Sequence, residues 1–597
     1  VNRDYVNSSL HTQGYFKVTK ASSAKVKPFK YRAFHEANGL APSNGVDYCI
    51  FSNSLQSGLS GLVERLIFTP CKDANGKVII DPLTRLPQLK EPPKPKPGIW
   101  KCSKYYRVMV SELVGIHSAW TQQEFIDTRR NNKLKNRYST AKAEYEQRGL
   151  LLSDSNPQAM VKAEKMKLKA FITPRIIQFC NPIYNLLLGK YISSAEKKIY
   201  AAIDLVWDPS GRLKTIMKNY NAEEVATLIV YAWEEVELGN KHVALINQGD
   251  DNVAIMRVLV TERCSDTGLM MTKSKVCAMV VDAERFDQHV HYDTLLFEHS
   301  LYMSIYKDAP EEQVKELQKL LKRQREYSIQ SFFKCEQTWD TYRVDVKNIR
   351  GRRRSGDMNT SLGNNFIATA LLHGFFQGYE PTTVEEIRAS LAAYSLDRGF
   401  SIKFEGYAEA IEEIEFCQTH PVNTGHKRVD TRFRIGEEVD RWIMVRNLDS
   451  LVKDTHFICD EQNVLERMNQ IGIAGSMMYA DIPIHGEFYK KLRNGTPVKS
   501  YSWQTNAWTG QGLAWQSGKG MSDMNVVTEA TDEVTEVARG SYLRAFGVTP
   551  AEQVLAAECI SKCDQTDDPS AVMGWMAPWY GSSDKRTRTM AQLAGLA

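Results

Sequence analysis

The stretch LINQGDDNVAIM, residues 245–256, constrains this chain more than any other. Short apolar runs flank Gly249, Asp250 and Asp251, so the segment reads as a hairpin with adjacent carboxylates in its turn and a glycine supplying the backbone freedom that turn needs. Further on, in VVDAERFDQHV (280–290), a second apolar run ends in Asp282 and is followed by Asp287. Acids at the ends of buried strands are poor candidates for solvated turns. Brought side by side, Asp282, Asp250 and Asp251 can hold two hard divalent cations, Mg²⁺ or Mn²⁺, one activating an attacking oxygen and the other steadying a leaving group.

A third segment, SGDMNTSLGNN (355–365), places Ser355 and Gly356 in a loop at a helix start. Thr360 and Asn364 then share a face of that helix, and near a spare carboxylate such as Asp287 they suit the reading of a sugar hydroxyl. The alternative is an N-capped helix with ordinary polar residues.

The chain of 597 residues exceeds the size at which one core keeps growing, so several subdomains are expected. Lys plus Arg exceed Asp plus Glu by only 76 to 71, so polyanion affinity has to come from local clusters. Those are 129–137, KAEKMKLK (162–169) and RGRRR (350–354), the last placing Arg352, Arg353 and Arg354 beside the glycine loop, where they suit a polyanionic partner. The 11 cysteines are dispersed without a CxxC pair, which predicts reduced thiols and no structural zinc. No run is long and apolar enough to span a bilayer, and the opening VNRDYVNSS does not read as a signal peptide.

Along the chain, LKEPPKPKPGIWK (89–101) reads as an extended strap, and 221–239 as a helix stopped by glycine. Helices are expected over 292–326, a strand ended by Pro421 over 414–422, and mainly helix with loops beyond 424. The aromatic GWMAPWYG (574–581) is expected to dock on the C-terminal helices, with a priming platform as the alternative.

Together the three acidic and glycine-containing stretches resemble palm motifs A (DAERFDQHV), B (SGDMNTSLGN) and C (GDD) of positive-strand viral RNA-dependent RNA polymerases of the tombusvirus-like group. PRIIQFCNPIYNLLLGKY resembles fingers motif F, GFSIKFEG motif D, IEFCQTHPV motif E and RGSYLRAFGVTPAEQ a thumb segment. The order departs from the family's A-B-C-D-E: here C precedes A, as in the permuted palms of permutotetraviruses and birnaviruses. A hairpin enters and leaves a sheet at one end, so it can be respliced into another connection at a loop-closure cost that rises slowly with length.

The resemblance implies an α+β right-hand polymerase of fingers, palm and thumb, with a permuted RRM-like antiparallel palm sheet closed by fingertips. It implies an N-terminal extension and fingers over 1–240, a palm over 241–424, a thumb over 425–563 and a tail over 564–597. Within that palm, motif C covers 243–256, A 277–290, a fingers insertion 300–348, B 351–372, D 384–405 and E 411–422. By matching position, Asp282, Asp250 and Asp251 would be the metal ligands and Lys403 the proton donor to pyrophosphate. Asp287, Ser355, Thr360 and Asn364 would select the ribose, and Arg175 with Lys165, Lys167 or Lys169 would meet the triphosphate. Ile172 stands where relatives often carry a lysine. Gly356, Arg352, Arg353, Arg354, Cys417 and Gln418 would contact template or primer RNA. The implied partners are template and product RNA, ribonucleoside triphosphates, other viral replication proteins and, indirectly, host membranes, in replication complexes of the host cytoplasm or packaged in the virion. The rivals are a reverse transcriptase, which would need a bulky apolar gate against the 2′-hydroxyl, and an inactive RNA-binding or capsid-associated protein of the same fold.

Overall fold

The apolar runs on either side of the acidic turn fold as strands of one sheet with a core on each face, and a third core lies around the separate three-stranded sheet. The computed structural model describes residues 15–21, 34–36, 48–73, 76–115, 118–129, 131–167, 172–263, 269–454, 456–458, 463–497 and 533–562.

Strand β1 (Phe16–Lys20) is the edge of a three-stranded sheet that later strands complete. The proline-rich strap starts as a short strand, Leu89–Lys90, paired with Thr69–Pro70, runs without regular structure over 91–96 and enters a 3-10 turn at Ile99, and Lys96 bonds Asp397 through both its backbone N–H and its ammonium. Antiparallel β2 (Gln158–Val161) and β3 (Ile176–Phe179) follow. Helix α1 (Pro182–Trp207) starts where the Asn181 side chain accepts from Ile183 N–H and Pro182 occupies the first turn. Helix α2 (Ala222–Glu237) opens on an Asn221/Glu224 capping box and stops before Gly239 at φ +78°, as the sequence predicts.

Next come β4 (Val243–Gln248), β5 (Asp251–Arg263) and β6 (Met270–Ala283), a continuous antiparallel meander. The β5/β6 ladder runs from Asp251 opposite Asp282 out to Arg263 opposite Met270. The connecting residues 264–268 lie outside the described residues.

Helices α3 (Tyr292–Ile305) and α4 (Glu311–Arg325) fall where helix is expected over 292–326, but the sequence reading missed β7 (Glu326–Lys334) and β8 (Thr341–Arg350), which complete the sheet begun by β1. Then follow α5 (Thr360–Phe376), α6 (Val384–Asp397), opened by a Thr383/Glu386 capping box, and β9 (Ile402–Ala408), which adds to the edge of β6. This four-stranded sheet therefore runs β9-β6-β5-β4.

Beyond it the reading needs correction. Pro421 does not end a strand: it lies inside β10 (Thr419–Val429), paired with β11 (Glu438–Arg446), so strand crosses the expected boundary at 424. A two-stranded sheet leaves every strand a free edge, and there the missing proline N–H does no harm. Helices α7 (Val464–Tyr479), α8 (His485–Leu492), α9 (Glu536–Phe546) and α10 (Pro550–Lys562) finish the described chain, and the GWMAPWYG segment lies outside it.

Alternation along the sheet assigns the two cores. Ala244, Ile246, Val253, Ile255, Ala278 and Val280 face α2 and the C-terminal helices, while Leu245, Ala254, Met256, Met279 and Val281 face α1, α3 and α5. Sheet buried on both sides gives rigid strand ends, and the acids sit on those ends. Among the described residues no helix is long and apolar enough to cross a membrane.

Candidate active site

Directly opposed residues of antiparallel strands project from the same face. The pairings Gln248↔Asp251, Asp251↔Asp282 and Asp282↔Lys403 therefore form one transverse row across the four-stranded sheet. Asp250 precedes that row in the β4/β5 turn, where Gly249 adopts φ +74°.

The turn is held by side chains that the sequence reading passed over. Asn247 Nδ2 donates to Gly249 O (3.1 Å) and to Asn252 Oδ1 (2.8 Å), and Asn252 Nδ2 donates to Asp250 O (2.7 Å). Gly249 N–H donates to Asn365 Oδ1 of α5 at 2.6 Å. Asparagines flanking an acidic turn are the signal that was available.

Burial and mutual repulsion raise the acids. The Asp282 carboxyl is pushed up to about 7, first by loss of water and then by Asp250, Glu405 and Asp251. Asp251 rises to about 6 through burial and then Asp250, and burial also lifts Asp250, with Arg175 opposing. Carboxylates crowded out of water in this way carry excess negative charge that divalent cations would relieve, and an all-oxygen donor set suits Mg²⁺ or Mn²⁺. Among the described residues, no three His, Cys, Asp or Glu side chains are gathered in ligand geometry. Donor chemistry and electrostatics fit; convergence of the ligands is not built in.

Asp287 and Asn364 meet as expected, with Asn364 Nδ2 donating to Asp287 Oδ1 at 2.9 Å. Asn364 Oδ1 accepts from Arg353 Nε (2.9 Å), and Arg353 Nη2 bonds Glu298 Oε2 (2.5 Å). This corrects the expected RNA contacts of two arginines. Arg353 is 2% and Arg354 1% exposed; Arg354 pairs with Asp357 at 2.7 Å and donates to Ser155 O. Arg352 is half-buried, at φ +74°, with Nε donating to Leu66 O.

The hydroxyls expected on the sugar are spent on backbone. Thr360 Oγ1 donates to Arg354 O (2.7 Å) and Asp357 O (3.0 Å). Ser355 Oγ accepts from Gln178 N–H (3.1 Å) and donates to Ile176 O (3.3 Å), docking the loop on β3. Gly356 also serves that docking rather than RNA: a Cβ there would sit 1.8 Å from Gln178 O.

Arg175 is exposed, 3.5 Å from Glu164, and its charge is felt at both Asp250 and Asp287. Arg65 and Arg285, which the sequence reading passed over, join it: burial and these two neighbouring guanidiniums lower Arg65 to about 10. Like charges crowded together in this way suit an anionic ligand. Of the lysines, Lys165 donates to Lys453 O, Lys167 lies in the short strand Met166–Lys167 and Lys169 lies outside the described residues. Lys403 stays largely exposed, 2.6 Å from Glu405. Cys417 and Gln418 form a tight turn, both at positive φ (+53° and +61°), and the Cys417 thiol donates to Asp251 Oδ2 at 3.4 Å. The Cys417 side chain is thus turned to the acids, and the Gln418 carbonyl accepts from Asn447 N–H.

Comparison with known proteins bears on this geometry. A family model described as viral RNA-dependent RNA polymerase matches residues 22–237 and 266–564. The break between the matched stretches contains the acidic hairpin. The chain is 27% identical over 552 residues to the RNA-directed RNA polymerase of melon necrotic spot virus, covering 88% of this chain and 58% of that protein. It is 26% identical over 547 residues to that of turnip crinkle virus (88% and 59%) and 24% over 580 residues to that of groundnut rosette virus, strain MC1 (93% and 57%). The chain thus spans between half and two thirds of the length of these relatives.

Proposed function

From the premise that this chain belongs to the viral RNA-dependent RNA polymerase family, we propose that it copies an RNA template by transferring nucleotides to a 3′-hydroxyl with release of pyrophosphate. The observation that carries the reading is the pairing of Asp251 with Asp282 beside the Asp250 turn, since it assembles the acids from segments in the reverse of the family's order. A family match interrupted at that hairpin supports a permuted palm. Right-hand architecture closed by fingertips, and the division at about 240, 424 and 563, belong to the same proposal.

In this reading Asp282, Asp250 and Asp251 hold two Mg²⁺ or Mn²⁺ ions. When bound, these supply the activation of the attacking hydroxyl and the neutralisation of the leaving pyrophosphate. Arg175, Arg65 and Arg285 take up triphosphate charge and orient the substrate. Asp287 and Asn364 accept the ribose 2′-hydroxyl, and exchange of the bond between them for bonds to the sugar would favour ribonucleotides over their deoxy counterparts. Lys403, one strand across from Asp282, holds the proton for the pyrophosphate oxygen. Partners are template and product RNA and ribonucleoside triphosphates, with other replication proteins on membranes of the host cytoplasm.

Primer extension with Mn²⁺, template and ribonucleotides tests this. Wild-type protein should extend, and Asp282→Asn or Asp250→Asn should lower the rate by roughly a thousandfold or more, as loss of a principal charge-stabilising group does. No extension by wild type, or equal extension by Asp282→Asn, refutes it.

A further inference from the structure

The asparagines within the hairpin fix the shape of the acidic turn, but they do not fix where it stands. Asn247 and Asn252 bond Gly249 O and Asp250 O from strands that move with the turn. On the sheet side the turn is held by the Asp251↔Asp282 pairing, the Cys417 thiol and the Asn247 backbone bonds to Thr215 and Met217; its placement against α5 comes through Gly249 N–H, which donates to Asn365 Oδ1 at 2.6 Å. Asn365 is itself held. It is fully buried, its Nδ2 donates to Ser361 O one helical turn earlier (2.9 Å) and reaches Tyr200 OH of α1 (3.4 Å), and Tyr200 donates onward to Glu196 (3.0 Å).

The neighbouring residue on α5 is Asn364, whose amide bonds Asp287. Successive residues on a helix point about 100° apart. One rigid element therefore sends adjacent amides to two destinations, the carboxylate that would read the sugar and the backbone of the acidic turn. A displacement of α5 shifts both.

We infer that Asn365 is a positioning residue for the acidic turn, and that through α5 it ties the placement of Asp250 and Asp251 to occupation of the Asp287–Asn364 pair by a ribonucleotide. This rests on the polymerase reading. A ribose that engages Asp287 and Asn364 fixes α5, and α5 fixes the turn; a 2′-deoxyribose lacks that contact and leaves the turn less well placed. Discrimination would then show in turnover as well as in binding.

The test uses the full chain with two readouts. Mn²⁺ binding is followed without nucleotide by the electron paramagnetic resonance of free Mn²⁺, and single-nucleotide incorporation gives kcat and KM for ribo and 2′-deoxy substrates. Asn365→Ala removes the acceptor and leaves the Gly249 N–H unpaired. The expected result is about a tenfold rise in the Mn²⁺ concentration for half-saturation, a similar fall in ribonucleotide kcat, little change in KM, and a ribo-to-deoxy kcat ratio moved toward one. Tyr200→Phe leaves the Gly249 bond in place and removes the outer contact, together with the hydroxyl's bonds to Glu196 and Lys218; it should move the same quantities in the same direction by roughly twofold, which keeps the idea testable should the alanine variant fail to fold. Wild-type Mn²⁺ affinity together with a wild-type kcat ratio in Asn365→Ala, or in Tyr200→Phe if only that folds, overturns the inference. Absence of incorporation by wild type overturns the polymerase reading, while the Mn²⁺ measurement still decides whether Asn365 places the turn.

Discussion

Arg353 joins a buried ion pair to the Asp287–Asn364 pair, proposed above to read the sugar, so its replacement separates two effects. The guanidinium is 2% exposed and Glu298 is fully buried, with Nη2 at 2.5 Å from Oε2, while Nε reaches Asn364 Oδ1 at 2.9 Å. Glu298 also accepts from Tyr302 OH (2.8 Å) and Asn359 Nδ2 (2.7 Å), neither of which brings charge. Arg353→Ala would strand a carboxylate in the interior, at a cost of about 3–5 kcal/mol. Arg353→Lys keeps the charge opposite Glu298 but cannot hold two partners with a planar fork. It would forfeit chiefly the bond to Asn364, about 1–2 kcal/mol, and release the amide that faces Asp287. Hydrogen exchange of the α5 amides measures the local opening free energy in each variant. Primer extension with ribo and 2′-deoxy substrates measures the consequence for the sugar. The alanine variant should lose most α5 protection; the lysine variant should keep most of it yet discriminate about tenfold less well between the sugars. Equal protection in the alanine variant and wild type, or unchanged discrimination in the lysine variant, would refute the proposed linkage.

Gly356→Ala should cost about 3 kcal/mol or more and undock the loop from β3, because the added Cβ meets a backbone oxygen that cannot rotate away; protection of the Gln178 amide in wild type and variant checks it. His485 should make the C-terminal helices acid-sensitive. Its Nε2 lies 2.8 Å from Arg446 O and its Nδ1 3.1 Å from Tyr542 OH, and burial lowers it from 6.5 to about 4. The unfolded chain takes up a proton near 6.5 that the fold resists, so stability complete above that pH is lost as pH falls toward 4, by about 3 kcal/mol. Denaturant midpoints of wild type and His485→Gln at pH 7 and pH 4.5 should converge at the acid end, and parallel profiles would exclude His485 as the source.

Local chemistry was the legible part. Gly249 between apolar runs and Asn221 followed by Glu224 carry their meaning within a few residues, and the hairpin, α2 and the Asp287–Asn364 contact appear where the sequence places them. Meanings set by distant partners were not. Arg353 read as an RNA contact because its partner Glu298 lies 55 residues away, although an acid inside the apolar TLLFEHSLY was a signal that something buried must neutralise it. Asn365 looked redundant beside Asn364 because its partner is 116 residues distant. The β10/β11 hairpin was obscured by Pro421 and by abundant charge, although alternation over EVDRWIMVR after Gly436 was visible.

The meander from β4 to β6 brings the acids together within one unbroken run of neighbouring strands. Its contacts are closed by short connections, so it belongs to the fast class of pairings that need no distant segment to wait for. During synthesis the strands that carry the carboxylates would pair before α5, β9 or the C-terminal helices had been translated, leaving α5 to close on the turn afterwards.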